Sequence, residues 1–160
     1  MKVFHLPIIA LLALISFASC KKSSNSGLPK GTLTATIDDT AYNFNGGVEA
    51  EGFNIGAEYG FSADYADTLN DNEFTISMAR FDSSKLALKT YYETDSLVEI
   101  DIEFDHDGIE YDNGFTKIAP FQITLTSPNQ GTFSGKVYPN GDSTLPAKVI
   151  TNGKFNFLIY

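Results

Sequence analysis

A chain of 160 residues, 42% of them apolar, suffices for one ordinary domain and is not disordered by composition. Twenty acidic residues against eleven basic ones give a net charge of −9, which argues against nucleic acid as a partner and against electrostatic docking on anionic lipid headgroups. There is one cysteine, so no disulfide forms within the chain.

The chain opens Met1-Lys2-Val3-Phe4-His5-Leu6-Pro7 and then runs apolar from Ile8 to Phe17, apart from Ser16. Such a run matches the core of an export signal and is shorter than the roughly 20 residues that span a bilayer. It ends in Phe17-Ala18-Ser19-Cys20, with small residues ahead of the lone cysteine. This resembles the lipobox of bacterial lipoproteins, with Phe17 where that family usually has Leu. The resemblance implies that residues 1–19 are a signal peptide and that the Cys20 thiol carries a diacylglyceryl group. It also implies a chain that is exported and lipid-anchored in the bacterial cell envelope, at the outer membrane. Plain secretion is the alternative, because Ser16-Phe17-Ala18 also suits the general signal peptidase; the unpaired Cys20 favours the lipoprotein. Removal of 1–19 takes Lys2 alone among charged residues, leaving 10 basic and 20 acidic side chains, a net of −10.

Residues 20–30 read as the lipidated cysteine and a flexible tether, polar and small from Lys21 to Gly27 and continuing through Pro29-Lys30. About ten such residues reach roughly 18 Å. Membrane contact then depends on the lipid of Cys20. One acyl chain binds only marginally at ~0.8 kcal/mol per buried methylene, whereas two or three chains make release negligible.

Residues 31–160 form the single folded domain, and their pattern is alternation. Leu33, Ala35 and Ile37 alternate with threonines; so do Phe74, Ile76 and Met78 with Thr75 and Ser77. Val98, Ile100, Ile102 and Phe104 alternate with Glu99, Asp101 and Glu103. Phe121, Ile123 and Leu125, and finally Phe155, Phe157 and Ile159, repeat the pattern. Period two with one apolar face is the half-buried antiparallel strand. Asn45-Gly46, Asp107-Gly108, Asn113-Gly114, Asn140-Gly141 and Asn152-Gly153 are dipeptides of tight turns. Asn152-Gly153 predicts a terminal hairpin ending at Tyr160. No helix is convincing: in Ser83 to Tyr92, Leu86 and Leu88 stand two apart, which suits a strand. Gly46 to Asn72 reads as long and irregular, with one further strand near Phe53 to Phe61.

The segments Gly31-Thr32-Leu33-Thr34-Ala35-Thr36-Ile37-Asp38-Asp39, Gly131-Thr132-Phe133-Ser134-Gly135 and Val149 to Phe155 resemble the two ends of a family of uncharacterised small all-β bacterial envelope lipoproteins. That resemblance implies fold and compartment, and no catalytic residues. The expected fold is all-β, an antiparallel β-sandwich of about seven to nine strands, with an up-and-down lipocalin-like barrel as the alternative.

The densest polar signal is Glu99, Asp101, Glu103, Asp105, Asp107, Glu110 and Asp112. As a solvated strand face it needs no partner. Read as chemistry, Glu103, Asp105 and Asp107 before Gly108 resemble the first half of a calcium loop. An EF-hand is rejected because Gly114 stands where the bidentate carboxylate belongs. Without that calcium no cofactor is expected. His106 is the only histidine after the leader; zinc or a Ser/His/Asp triad would need more, so it reads as an exposed turn residue. Tyr59, Phe61 and Tyr65 are the candidate ligand surface, since aromatics beside Asp and Asn stack on sugars or peptides. With no catalytic motif, the chain reads as a binding or structural module for a glycan or protein ligand, not an enzyme. The alternative is a glycan hydrolase using two carboxylates.

Overall fold

The computed structural model describes residues 31–45, 48–67, 70–113 and 121–158. Cys20, the leader and the tether lie outside them, as do Gly46, Gly114 and Ile159. Among the described residues every regular element is a strand. They are β1 (Thr32–Ile37), β2 (Thr40–Phe44), β3 (Val48–Ile55), β4 (Glu58–Asp67), β5 (Asn72–Arg80), β6 (Thr90–Tyr92), β7 (Val98–His106), β8 (Ile109–Asp112), β9 (Gln122–Ser127), β10 (Gln130–Pro139) and β11 (Lys148–Asn156). The all-β antiparallel class is as expected, and of the eleven strands nine lie on the main path of the sheet, within the expected seven to nine.

Nine strands follow one hydrogen-bonded path, β2-β1-β11-β10-β8-β7-β5-β4-β3; β9 pairs with β10, and β6 with β9. The sheet curls so that its two halves face each other. Strand β10 joins them: Gln130 to Val137 pair with β11, while Tyr138 and Pro139 pair with β8. The ends of the path, β2 and β3, do not pair with each other, so the curl stops short of a closed barrel.

The core lies between the halves and is largely aromatic. Phe44 of β2 meets Phe74 of β5 at 5.6 Å between ring centroids, and Phe133 of β10 meets Phe74 at 5.3 Å. Phe61 of β4 meets Phe157, just past β11, at 4.9 Å. Such contacts combine large apolar burial with offset or edge ring geometry. The alternating residues expected to be core are buried, including Leu33, Ile76, Ile102, Phe104, Ile123 and Phe155.

Three expectations are corrected. The described residues of 46–72 are not an irregular loop with one strand across 53–61. They hold β3 and β4, a regular hairpin whose two-residue turn, Gly56-Ala57, sits where the single strand was expected. Gly56 supplies φ +64 at the first turn position, as a type II′ hairpin requires. Alternation is weak there because the outer half of β3 is exposed on both faces. Second, Asn152-Gly153 makes no terminal hairpin. β11 runs through it as one strand with a bulge opposite β1 and β10. Asn152 takes φ 53, and a Cβ on Gly153 would lie 2.6 Å from the Phe133 ring and carbonyl, so the extra residue bends the strand without reversing it. Third, only Thr90–Tyr92 of the 83–92 segment is strand. Leu86 packs on the core and Leu88 is exposed, while the Tyr91 hydroxyl, 2.6 Å from the Ala87 N–H, fixes the loop between them.

Candidate functional site

Strand register creates a surface that no single segment contains. On the outward face of β3, β4, β5, β7 and β8, one row reads Glu49, Asp64, Thr75, Glu103, Asp112, each directly opposite the next. The next rows read Glu51, Ser62, Ser77, Asp101 and Ala66, Glu73, Asp105, Glu110. With Glu58 and Glu99 the face carries eleven carboxylates: two on β3, two on β4, one on β5, four on β7 and two on β8. Besides His106 at the end of β7, the only basic residue on these five strands is Arg80. It follows the inward parity of Phe74, Ile76 and Met78, and its guanidinium is bound to Asp82 at 2.6 Å.

The other half of the sheet is the reverse. Strands β1, β2, β6, β9, β10 and β11 contain no Asp or Glu, and they carry Lys136, Lys148 and Lys154. Threonine, serine, asparagine and glutamine dominate their outward positions, as in the open groove of about 290 Å³ lined by Gln122, Thr124, Thr132, Ser134 and Asn152. The outward acidic residues of the strands are therefore confined to one half of the sheet, while Asp38, Asp39 and Asp142 stand in turns of the other.

A groove of about 530 Å³ lies along β7 and β8, walled by Glu99, Asp101, Glu103, Glu110 and Asp112, with Phe81, Val98 and Ile100 as its apolar part. Buried Glu93 also lines it, its carboxylate accepting the Phe121 N–H at 3.1 Å. Partial burial, and then the charges of Glu99, Asp112 and Glu110, push the Asp101 pKa up. Glu103 is raised in the same way, by burial first and then by Asp101, Glu110, Asp105 and Asp112. Like charges directly opposite on neighbouring strands destabilise the pair by a fraction of a kcal/mol, and Glu103 faces Asp112 as Asp105 faces Glu110.

The sign of the pH dependence follows. A carboxylate with a raised folded pKa binds its proton more tightly in the native state, so its effect on stability worsens as pH rises through the window above its ordinary value. Asp101→Asn is expected to raise the melting temperature at pH 7 by roughly 1–4 °C. The gain should vanish below the ordinary aspartate value of 3.8, where the native side chain is already neutral. Paired melts at the two pH values check this, and a variant less stable at pH 7 would contradict it.

The sequence candidates fall unevenly on this site. Glu103 and Asp105 stand on the acidic face, but Asp107 lies in the Asp107-Gly108 turn, with positive φ at both residues as a type I′ hairpin requires. Among the described residues no group of three or more His, Cys, Asp or Glu side chains is placed to hold a metal ion. The proposed aromatic surface does not form: Phe61 and Tyr65 are 2% and 1% exposed and belong to the core, and only Tyr59 is partly open. The Tyr65 hydroxyl donates to the Asn156 carbonyl at 3.0 Å, and burial pushes its pKa up. His106 is no exposed turn residue: its ring stacks on Phe104 at 5.4 Å and its Nδ1 lies 3.0 Å from the Asn72 amide oxygen. No family model, curated protein or solved structure matches this chain. The contributions of Glu49, Glu51, Asp64 and Glu73 went unread in the sequence because only register unites them with β7.

Proposed function

We propose that this chain is a lipid-anchored module of the bacterial cell envelope, held at the outer membrane through Cys20, that binds a cationic protein ligand on its acidic sheet face. The observation that carries the binding reading is the sorting of charge: eleven carboxylates and no outward basic residue on one half-sheet, and no carboxylate in the strands of the other. Scattered acids would serve solubility equally well. Facing rows of like charge cost stability, and a bound cationic surface relieves that repulsion while gaining attraction of its own. The same charge repels anionic headgroups, which turns the face away from the membrane that the lipid holds.

Two measurements test this. Cys20→Ala should move the protein from the membrane fraction to the soluble one; persistence on membranes places the anchor elsewhere. Oligolysine should bind the full chain, and its affinity should fall about tenfold or more as salt rises from about 0.05 to about 0.5 M, since screening shortens the reach of exposed charges. A variant with Asp101, Glu103, Asp105, Glu110 and Asp112 replaced by their amides should lose that binding. Equal binding by this variant overturns the reading.

The raised pKa values of Asp101 and Glu103 in one groove favour a second reading, a carboxylate-dependent glycan hydrolase. Against it, the carboxylates of β7 and β8 stand side by side on one wall. Glycan hydrolysis abolished by Asp101→Asn or Glu103→Gln would establish it.

A further inference from the structure

We infer that the free edge of β3 takes up an extended strand from a partner protein, one with basic residues at alternate positions. The inference rests on the acidic face being a binding surface and specifies how a ligand engages it. β3 is the last strand of the hydrogen-bonded path, and among the described residues nothing pairs with its outer edge. Its eight residues pair with β4 in unbroken register, Val48 to Tyr65 through Ile55 to Glu58. It contains no proline and no bulge, two of the devices by which proteins blunt an open edge. The opposite end of the path, β2, is shorter, at five residues, and carries no charge.

Among the described residues the guard on β3 is charge. Glu49 and Glu51 point outward at alternate positions, beside Asp64, around an open groove of about 400 Å³ that Ala50 and Ser62 complete. That guard is selective. An antiparallel pairing of two copies along β3 would set both copies' Glu49 and Glu51 on one face, which is repulsive. An acidic strand would be rejected for the same reason. A strand with Lys or Arg at every second position would place its cations about 5 Å from these carboxylates while its backbone completes the sheet. The exposed Gly52 presents no side chain on the opposite face. Backbone pairing supplies the affinity of strand addition, and the alternate side chains supply the choice of partner.

The probes are three synthetic peptides: one alternating Thr and Lys, one alternating Pro and Lys with the same charge, and one alternating Thr and Glu. Proline cannot donate to a ladder, so the second peptide carries the charge without the strand. The full chain should bind the Thr-Lys peptide at least tenfold more tightly than the Pro-Lys peptide and should not bind the Thr-Glu peptide. Hydrogen exchange of amides within Val48–Ile55 should slow by about tenfold or more on binding, since pairing removes them from solvent. The exposed double substitutions Glu49→Gln with Glu51→Gln, and Glu49→Lys with Glu51→Lys, should weaken binding progressively. If the two Lys peptides bind alike and β3 exchange is unchanged, strand addition is overturned and the acidic face stands. If neither binds, both readings fall.

Discussion

Asn113→Ala is expected to destabilise the domain by about 2–4 kcal/mol, the cost of two buried backbone groups left without partners. Strand β8 ends at Asp112, and among the described residues no strand lies beside β7 beyond Ile102 on that side. Asn113 takes the place of one. It is 6% exposed, its Nδ2 donates to the Ile100 carbonyl at 2.8 Å, and its Oδ1 accepts the Ile102 N–H at 2.9 Å. Its own N–H reaches the Ile102 carbonyl at 3.3 Å. One side chain therefore supplies both halves of a missing ladder step. Asn113→Asp separates them. The acceptor for Ile102 survives, but an oxygen replaces the donor to Ile100, and an ionised carboxylate there repels the carbonyl. Folding then favours the protonated acid, so this variant should regain stability as pH falls through the carboxylate range. Urea melts with an unchanged m-value, together with faster exchange of the Ile102 amide, check the pair. A loss below about 1 kcal/mol for Asn113→Ala would mean that the amide does not substitute for a strand.

The parts of this fold legible in the sequence are those where one strand face meets the core and the other meets water. β7 is the clearest: Val98 to Phe104 alternate with carboxylates, and the structure buries and exposes them in that order. β4 carried the same signal in Phe61, Ala63 and Tyr65, all buried. It is hidden because a strand across 53–61 spans Gly56, the turn residue, which makes these aromatics look like loop residues. Asn152-Gly153 shows a different limit. The dipeptide reports a left-handed backbone, but whether the chain then reverses or only bulges depends on Phe133 of a neighbouring strand. The acidic face combines both cases. Its β7 and β8 carboxylates form a run in the chain, whereas Glu49, Glu51, Asp64 and Glu73 join them only through pairing register. Asn113 was legible only as half of a turn dipeptide, since its bonding to β7 is tertiary.

Phe133→Ala should cost still more, about 3–5 kcal/mol, as a large aromatic deleted from a packed core. Its position makes the cost specific. Phe133 lies on β10, the strand that belongs to both halves of the sheet, and is 3% exposed. Its ring meets Phe74 of the acidic half at 5.3 Å, Phe121 at 6.1 Å and Phe155 of β11 at 6.3 Å. Beneath it runs the β11 bulge, where the missing Cβ of Gly153 makes room for the ring. Truncation opens a cavity at the point where the halves touch, and the surrounding rings are too rigid to collapse into it. A fall in melting temperature of roughly 10–20 °C follows. Phe133→Leu refills much of the volume and should recover over half of the loss. If the ring served only β10 and β11, truncation would speed hydrogen exchange there alone. As the link between halves it should speed exchange in β5 as well, at Phe74 and Ile76, to a similar extent. Exchange measured on the Phe133→Leu protein, which remains folded, decides between the two: acceleration confined to β10 and β11 would show that the halves are held together by other rings, Phe44 and Phe61 first among them.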